Sequence, residues 1–134
     1  THPHVVRDEG EAYRLSLQRL ARNKGVESNV FFFNRFVELE ELNQFISAAD
    51  IYLTPYLNHA QITSGTLAYT LGSGKAIVST PYWYAEEILA DKRGVLIPFH
   101  NPQKLAQAVI DLIENGAERD AMRKRAYIFG RDMI

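Results

Sequence analysis

Four short apolar runs punctuate this chain: Val30-Phe31-Phe32-Phe33, Ile51-Tyr52-Leu53, Ala76-Ile77-Val78 and Val95-Leu96-Ile97. They are rich in β-branched and aromatic residues and do not alternate with polar ones. A strand with one wet face alternates, whereas a strand covered on both faces reads as a continuous apolar run. The runs start at residues 30, 51, 76 and 95, so 21, 25 and 19 residues separate them. Each interval holds one helix and two loops, the rhythm of βαβ units. The expected architecture is α/β: a three-layer, Rossmann-like domain with parallel strands near residues 30–33, 51–54, 76–79 and 94–97.

The helices between the runs are legible from their apolar stripes. Residues 11–24 carry Leu15, Leu17, Leu20 and Ala21, then stop at Gly25. Residues 38–48 place Leu39, Leu42, Phe45 and Ile46 on one face. A short helix is expected over 64–71, with Thr63 or Ser64 as its N-cap and Gly72 and Gly74 near its end. Another follows Pro81 over 83–89. Residues 105–113 align Leu105, Ala108, Val109, Leu112 and Ile113, and a charged amphipathic helix occupies 117–133. No repeat, linker or low-complexity stretch interrupts the pattern, so residues 1–134 read as a single domain. The opening Thr1-His2-Pro3-His4 and the close inside a helical pattern at Ile134 lead us to expect a piece cut from a longer polypeptide.

Composition excludes several classes of function. The chain is 46% hydrophobic, too apolar for a disordered tail. Fifteen basic residues against sixteen acidic ones give no basic excess, which argues against a nucleic-acid partner. No apolar run approaches the roughly 18 residues that span a membrane, and no signal peptide is visible. There are no cysteines, which excludes disulfides, thiolate metal sites and a thiol nucleophile and favours a cytoplasmic setting. Four histidines remain as metal ligands: His2 and His4 lie two residues apart, while His59 and His100 are isolated. No metal site is expected from them.

In an open α/β sheet, ligands bind beyond the carboxyl ends of the strands. Residues 34–37, 54–65, 79–84 and 98–101 occupy such positions. The second is the most informative. Gln61-Ile62-Thr63-Ser64-Gly65-Thr66 leads from a strand into a helix and is rich in hydroxyls. A helix N-terminus offers unbonded N–H groups and a partial positive charge, and so favours a phosphate. Gly65 would let the backbone approach a ligand closely and would be expected to sit at a φ that disfavours other residues. The alternative is that Thr63 or Ser64 only caps the helix. Around this segment, Lys75 reads as a turn lysine or a phosphate ligand, Glu86 and Glu87 as a helix surface or a substrate contact, and Trp83 as a core residue. His59 falls in the loop nearest a ligand. No Ser-His-Asp set and no pair of carboxylates at acid/base spacing can be argued, so no catalytic residue is assigned. The strand end Ser79-Thr80 with Lys75 evokes a phospho-acceptor receiver, but Thr54-Pro55-Tyr56 lacks the aspartate that role needs.

The series as a whole resembles a known family. Asn29-Val30-Phe31-Phe32-Phe33, Glu40-Glu41-Leu42, Ala48-Ala49-Asp50-Ile51-Tyr52-Leu53-Thr54-Pro55, Gly74-Lys75-Ala76-Ile77-Val78-Ser79-Thr80, Glu86-Glu87-Ile88-Leu89, Gly94-Val95-Leu96-Ile97-Pro98 and Asn101-Pro102-Gln103-Lys104-Leu105 are similar in order and spacing to the C-terminal domain of family-4 retaining glycosyltransferases of the GT-B fold. The resemblance implies a domain that binds a nucleotide diphosphate-sugar as donor substrate, with no separate cofactor, for transfer of the sugar to an acceptor it does not identify. It implies that a Glu-x7-Glu pair flanks the phosphate-binding helix, the first contacting the sugar and the second the ribose. Counted back from Gly74, those positions are Gln61 and Tyr69, so both carboxylates are replaced. Thr63, Ser64, Gly65 and Thr66 fall on the diphosphate helix, Glu86 on a commonly acidic position, and Arg35 on the loop that flanks the base. The resemblance also implies two strands before residue 1, an N-terminal acceptor domain in the same polypeptide, and a sheet order of 3-2-1-4-5-6. Without those neighbours the run at 30–33 would be isolated, and self-association through bare strand edges is expected. A non-catalytic anion- or nucleotide-binding module descended from such a transferase is the alternative.

Overall fold

The computed structural model describes residues 10–133, which divide into two units, one ending at residue 38 and the other beginning at residue 39. In the first, helix α1 (Ala12–Asn23) ends at Lys24, and Gly25 turns the chain at a φ of +70°. A single 3-10 turn, Glu27–Asn29, follows. The apolar run 30–33 does not form a strand, contrary to the sequence expectation. Phe31 is 78% exposed and Phe33 57% exposed. The physical reason is that a strand exists only as part of a ladder. Its N–H and C=O groups need a neighbour, and no strand ladder among the described residues includes this run.

The second unit carries helix α2 (Leu39–Ala48) and strand β1 (Ile51–Thr54). Then come α3 (Gly65–Gly72), β2 (Ala76–Ser79), α4 (Trp83–Ile88), β3 (Val95–Leu96), α5 (Pro102–Glu114) and α6 (Gly116–Asp132). The three strands are parallel and ordered β1-β2-β3. Ile51 stands opposite Ala76 and Thr54 opposite Ser79, while Val78 stands opposite Val95. The Ile97 N–H donates to the Ser79 carbonyl at 2.8 Å and carries the last ladder one residue further.

β2 is buried along its whole length, as its unbroken apolar sequence requires. Its side chains divide between two cores. Ile77 joins Leu67 and Leu71 of α3, Tyr82, Ala85 and Ile88 around α4, and Ala126 of α6. Ala76 and Val78 face Ile97, Ala108 and Leu112 of α5, and Met122 of α6. Helices therefore cover both faces of the sheet, giving the expected three layers. Full burial of each large apolar side chain here contributes about 1.5–3 kcal/mol.

Local chemistry sets the helix ends. Asn101 caps α5, its side-chain oxygen accepting from the Lys104 N–H at 3.0 Å, with Pro102 at the first helical position. Asn115 caps α6 in the same way through the Glu118 N–H at 3.1 Å. The buried Arg93 guanidinium closes the C-terminal end of α4. It donates to the Ile88 carbonyl at 2.7 Å and the Glu87 carbonyl at 3.1 Å, pairs with Asp91 at 2.9 Å, and lies 3.8 Å from the Phe129 ring centre. Between α3 and α6 the backbones meet: a Cβ on Gly130 would stand 2.6 Å from the Gly72 Cα.

Candidate functional site

The carboxyl ends of β1 and β2 open onto two loops, residues 55–64 and 80–82, and the first of these delivers the chain to α3. Hydroxyl groups lock the floor beneath them. The Thr54 Oγ1 and the Tyr82 phenol share a buried hydrogen bond of 3.1 Å. Ser79 Oγ donates to the Thr80 carbonyl at 2.8 Å, and Thr80 Oγ1 donates to the Tyr56 carbonyl. The Tyr56 and Tyr82 rings lie 5.3 Å apart. Among the described residues no buried side-chain polar atom lacks a partner. The first loop is also strapped to the start of α4, where the Trp83 N–H donates to the His59 carbonyl at 3.0 Å and the Tyr84 N–H to the Gln61 carbonyl at 3.2 Å.

On this floor the residues Gln61 to Tyr69 come together as one turn and helix. Gln61 is half-buried, and its Nε2 donates to the Thr63 carbonyl at 3.0 Å. Thr63 is exposed. Ser64 is the N-cap of α3: buried, in extended conformation, its Oγ accepts from the Leu67 N–H at 3.3 Å. Of the two cap residues allowed by the sequence, the structure selects Ser64. Gly65 is the exposed first residue of the helix. Its φ is not in the left-handed region, which corrects the expectation of a disfavoured backbone. A Cβ there would meet only the Tyr69 Cε2, at 3.9 Å. The N–H groups of Gly65 and Thr66 belong to the first helical turn and have no intrahelical acceptor. Tyr69, one turn on, is 46% exposed. Arg35 belongs to the first unit, where it is exposed at a bend.

Thr66 is half-buried and lies against the phenol of Tyr52 on β1. Burial pushes the Tyr52 hydroxyl up to about 12, and its hydrogen bonds to Thr66 and Thr54 only partly offset this. Burial also raises the Tyr84 hydroxyl, with the nearby Glu87 carboxylate adding to the effect.

Trp83 is 52% exposed, which corrects its assignment to the core; the adjacent Tyr82 is the aromatic that is fully buried. The His59 ring stands edge-on to Trp83 at 5.9 Å and to Phe99 at 5.6 Å, with its Nε2 3.9 Å from the Glu86 carboxylate. Lys75 is engaged elsewhere: its Nζ donates to the Ser47 carbonyl at 2.8 Å, near the C-terminal end of α2. Glu87 is on the exposed side of α4. His2 and His4 lie outside the described residues. Among the described residues no three His, Asp or Glu side chains gather as a metal ion would require. No helix among them is long and apolar enough to cross a membrane.

Sequence reasoning missed the polar floor of Thr54, Tyr56, Ser79, Thr80 and Tyr82. Its signal was present: β1 and β2 each end on a hydroxyl residue, Thr54 and Ser79, where the apolar run stops. What the arrangement offers a ligand is a fixed helix N-terminus with two unbonded amides, rimmed by the Thr63 hydroxyl, the Gln61 amide and the Tyr69 phenol. Chemically, that set has the donors to receive an anion beside a hydroxyl-bearing group.

Comparison with known proteins gives a consistent picture. The family model described as glycosyl transferases group 1 matches residues 4–115. The chain is 30% identical over 119 residues to an uncharacterized glycosyltransferase, MJ1069, of Methanocaldococcus jannaschii, an alignment that covers 87% of this chain and 30% of that protein. The fold matches the crystal structure of the C-terminal domain of a glycosyl transferase group 1 family protein (LpcC) from Francisella tularensis, with a TM-score of 0.82. That match covers 93% of this chain and 64% of the other, at 17% identity.

Proposed function

The chain belongs to the group 1 glycosyl transferases, and from that premise we propose that it is a donor domain, binding a nucleotide diphosphate-sugar for transfer of the sugar to an acceptor. The observation that carries this reading is the N-terminus of α3 at the carboxyl end of β1, with unbonded amides at Gly65 and Thr66 and Ser64 already used as the cap. The diphosphate lies against those amides, where the helix dipole stabilises both the bound donor and the charge that develops on the leaving group. Thr63 adds a hydroxyl donor. Gln61 hydrogen-bonds a hydroxyl of the sugar, and Tyr69 one of the ribose. Transfer proceeds with retention, in the cytoplasm, and needs an acceptor-binding domain of the same polypeptide. The 134-residue chain alone therefore binds donor weakly and transfers no sugar.

The test is calorimetric titration of the full-length natural polypeptide carrying this chain with UDP, GDP and ADP and their glucose and mannose conjugates. Saturable binding of one nucleoside diphosphate, weakened tenfold or more by a Gly65→Val substitution that leaves the fold intact, is the expected result. Absence of binding to every member of the panel refutes the reading. A second reading is favoured by one observation: Gln61 and Tyr69 stand where the resemblance implies carboxylates. A non-catalytic nucleotide-binding module would bind the same panel without turning over any sugar donor, so turnover separates the two.

A further inference from the structure

The side chains of Trp83, His59 and Phe99 form an aromatic shelf beside the loop that enters α3. Trp83 is the first residue of α4, and its indole is half open to solvent. The backbone beneath it is anchored: the Trp83 backbone N–H donates to the His59 carbonyl at 3.0 Å, and the Tyr84 backbone N–H to the Gln61 carbonyl at 3.2 Å. His59 stands edge-on between the two other rings, at 5.9 and 5.6 Å, and Phe99 packs against the buried core behind. The one ionised acceptor at this cluster is Glu86, whose Oε2 lies 3.9 Å from His59 Nε2 and whose side chain is half exposed.

We infer that this shelf binds the glycosyl ring of the donor, stacking its C–H face on Trp83 while Glu86 accepts one of its hydroxyls; the inference rests on the donor-binding reading above. An aromatic ring on anchored backbone, open to water and flanked edge-on by a second ring, offers a platform for stacking. The ligand that fits has an apolar face and a hydroxyl rim. A sugar ring has both. A phosphate has neither, and the Glu86 carboxylate repels it. The shelf therefore takes the neutral end of the donor, with the diphosphate at α3. Trp83 is here a specificity residue: it selects rings that present a continuous C–H face.

The experiment uses the full-length natural polypeptide carrying this chain and compares each nucleoside diphosphate with its glucose and mannose conjugates by calorimetry. Trp83→Ala keeps the backbone bond to His59. It is expected to weaken the preferred nucleotide-sugar tenfold or more while leaving the nucleoside diphosphate within twofold of wild type. Trp83→Phe retains a ring and is expected to keep nucleotide-sugar affinity within about threefold. Trp83→Leu, equally apolar but not aromatic, falls with the alanine variant and serves if alanine does not fold. Glu86→Gln is expected to change the preference between glucose and mannose conjugates. Unchanged nucleotide-sugar affinity in both Trp83→Ala and Trp83→Leu, with diphosphate binding intact, overturns the shelf alone. Equal weakening of diphosphate and conjugate overturns it too, because the ring then stacks on the base. A wild type that binds no nucleoside diphosphate overturns the donor-binding reading and the shelf with it.

Discussion

Replacing Ser64 with alanine separates capping from ligand binding. The Ser64 Oγ accepts from the Leu67 N–H at 3.3 Å, and both residues are buried. Loss of a serine cap costs typically about 1 kcal/mol. Here the cost is at the upper end, because Leu67 is fully buried and its N–H has no water to turn to. An unsatisfied buried donor costs about 1–3 kcal/mol. The expected destabilisation is therefore about 2 kcal/mol. For a chain of this size that corresponds to a fall in Tm of roughly 5–10 °C. Urea denaturation is the more direct assay: the midpoint should fall with the slope unchanged, since the surface exposed on unfolding is the same. Ser64→Gly removes the same acceptor from the buried Leu67 N–H and should cost a similar amount. A Ser64→Ala loss below about 0.5 kcal/mol, within the range of an ordinary surface change, refutes the assignment of Ser64 as a structural cap.

Four further outcomes are expected. Gln61→Glu, made in the full-length natural polypeptide, should cost no more than about 1 kcal/mol of stability, since it removes one partly exposed hydrogen bond to Thr63. It should weaken nucleoside diphosphate binding in calorimetry, an effect that shrinks as salt is raised; unchanged affinity would place the diphosphate elsewhere. Gly130→Ala should destabilise by about 1–3 kcal/mol in urea titration, because the new methyl would stand 2.6 Å from backbone that cannot yield, and no loss would contradict the packing of α3 on α6. Tyr52 is protonated more tightly when folded, up to about 12 against the usual 10.0. Its contribution, on the order of 2 kcal/mol, is thus complete below pH 10 and lost as pH rises toward 12. Stability measured across pH 9–12 should fall more steeply for wild type than for Tyr52→Phe; parallel curves would refute this. The outer edge of β1 is unpaired within the sheet and Leu53 is exposed, so the 134-residue chain should self-associate in sedimentation velocity and Leu53→Lys should reduce it.

The layered fold was legible because its signals are local. The continuous apolar run at 76–79 marks a strand covered on both faces, the run at 51–54 marks its neighbour, which leaves Leu53 exposed, and the stripes of α5 and α6 mark the cover. The run at 30–33 carries the same signal and is not a strand. Pairing depends on a neighbour distant in sequence, and four apolar residues do not encode whether that neighbour is present. The turn from Gln61 to Thr66 was legible as a helix start at the carboxyl end of a strand, because a hydroxyl residue just before an apolar helical stretch is the usual N-cap signal. Which hydroxyl caps was not, since Thr63 and Ser64 are chemically equivalent in sequence. Tyr82 and Trp83 show a sharper limit. They are adjacent aromatics at the mouth of a six-residue helix, too short for a 3.6-residue period to tell core from rim. The chain turns at Pro81, buries the tyrosine, and leaves its hydroxyl to meet Thr54. The partner at the end of another strand settles the choice.

The two substitutions that separate this turn from the pattern it resembles change its electrostatics more than its shape. Gln61 and Tyr69 are neutral, and each still offers a hydrogen-bond donor to a hydroxyl or phosphate oxygen. A carboxylate about 7 Å from a bound phosphate, at an effective dielectric near 20, would repel it by about 2 kcal/mol. Removing two such charges relieves the anion site of a comparable penalty apiece. A turn that relies on the amides of Gly65 and Thr66 then needs less compensation from cations. The Glu86 carboxylate stands beside His59 at the aromatic cluster, and in the proposed arrangement its charge faces the sugar hydroxyls rather than the phosphates. Beneath both regions the bonds of Thr54, Ser79, Thr80 and Tyr82 hold the strand ends in one geometry. The recognition groups are thereby pre-organised, and ligand binding does not have to supply the ordering of these loops.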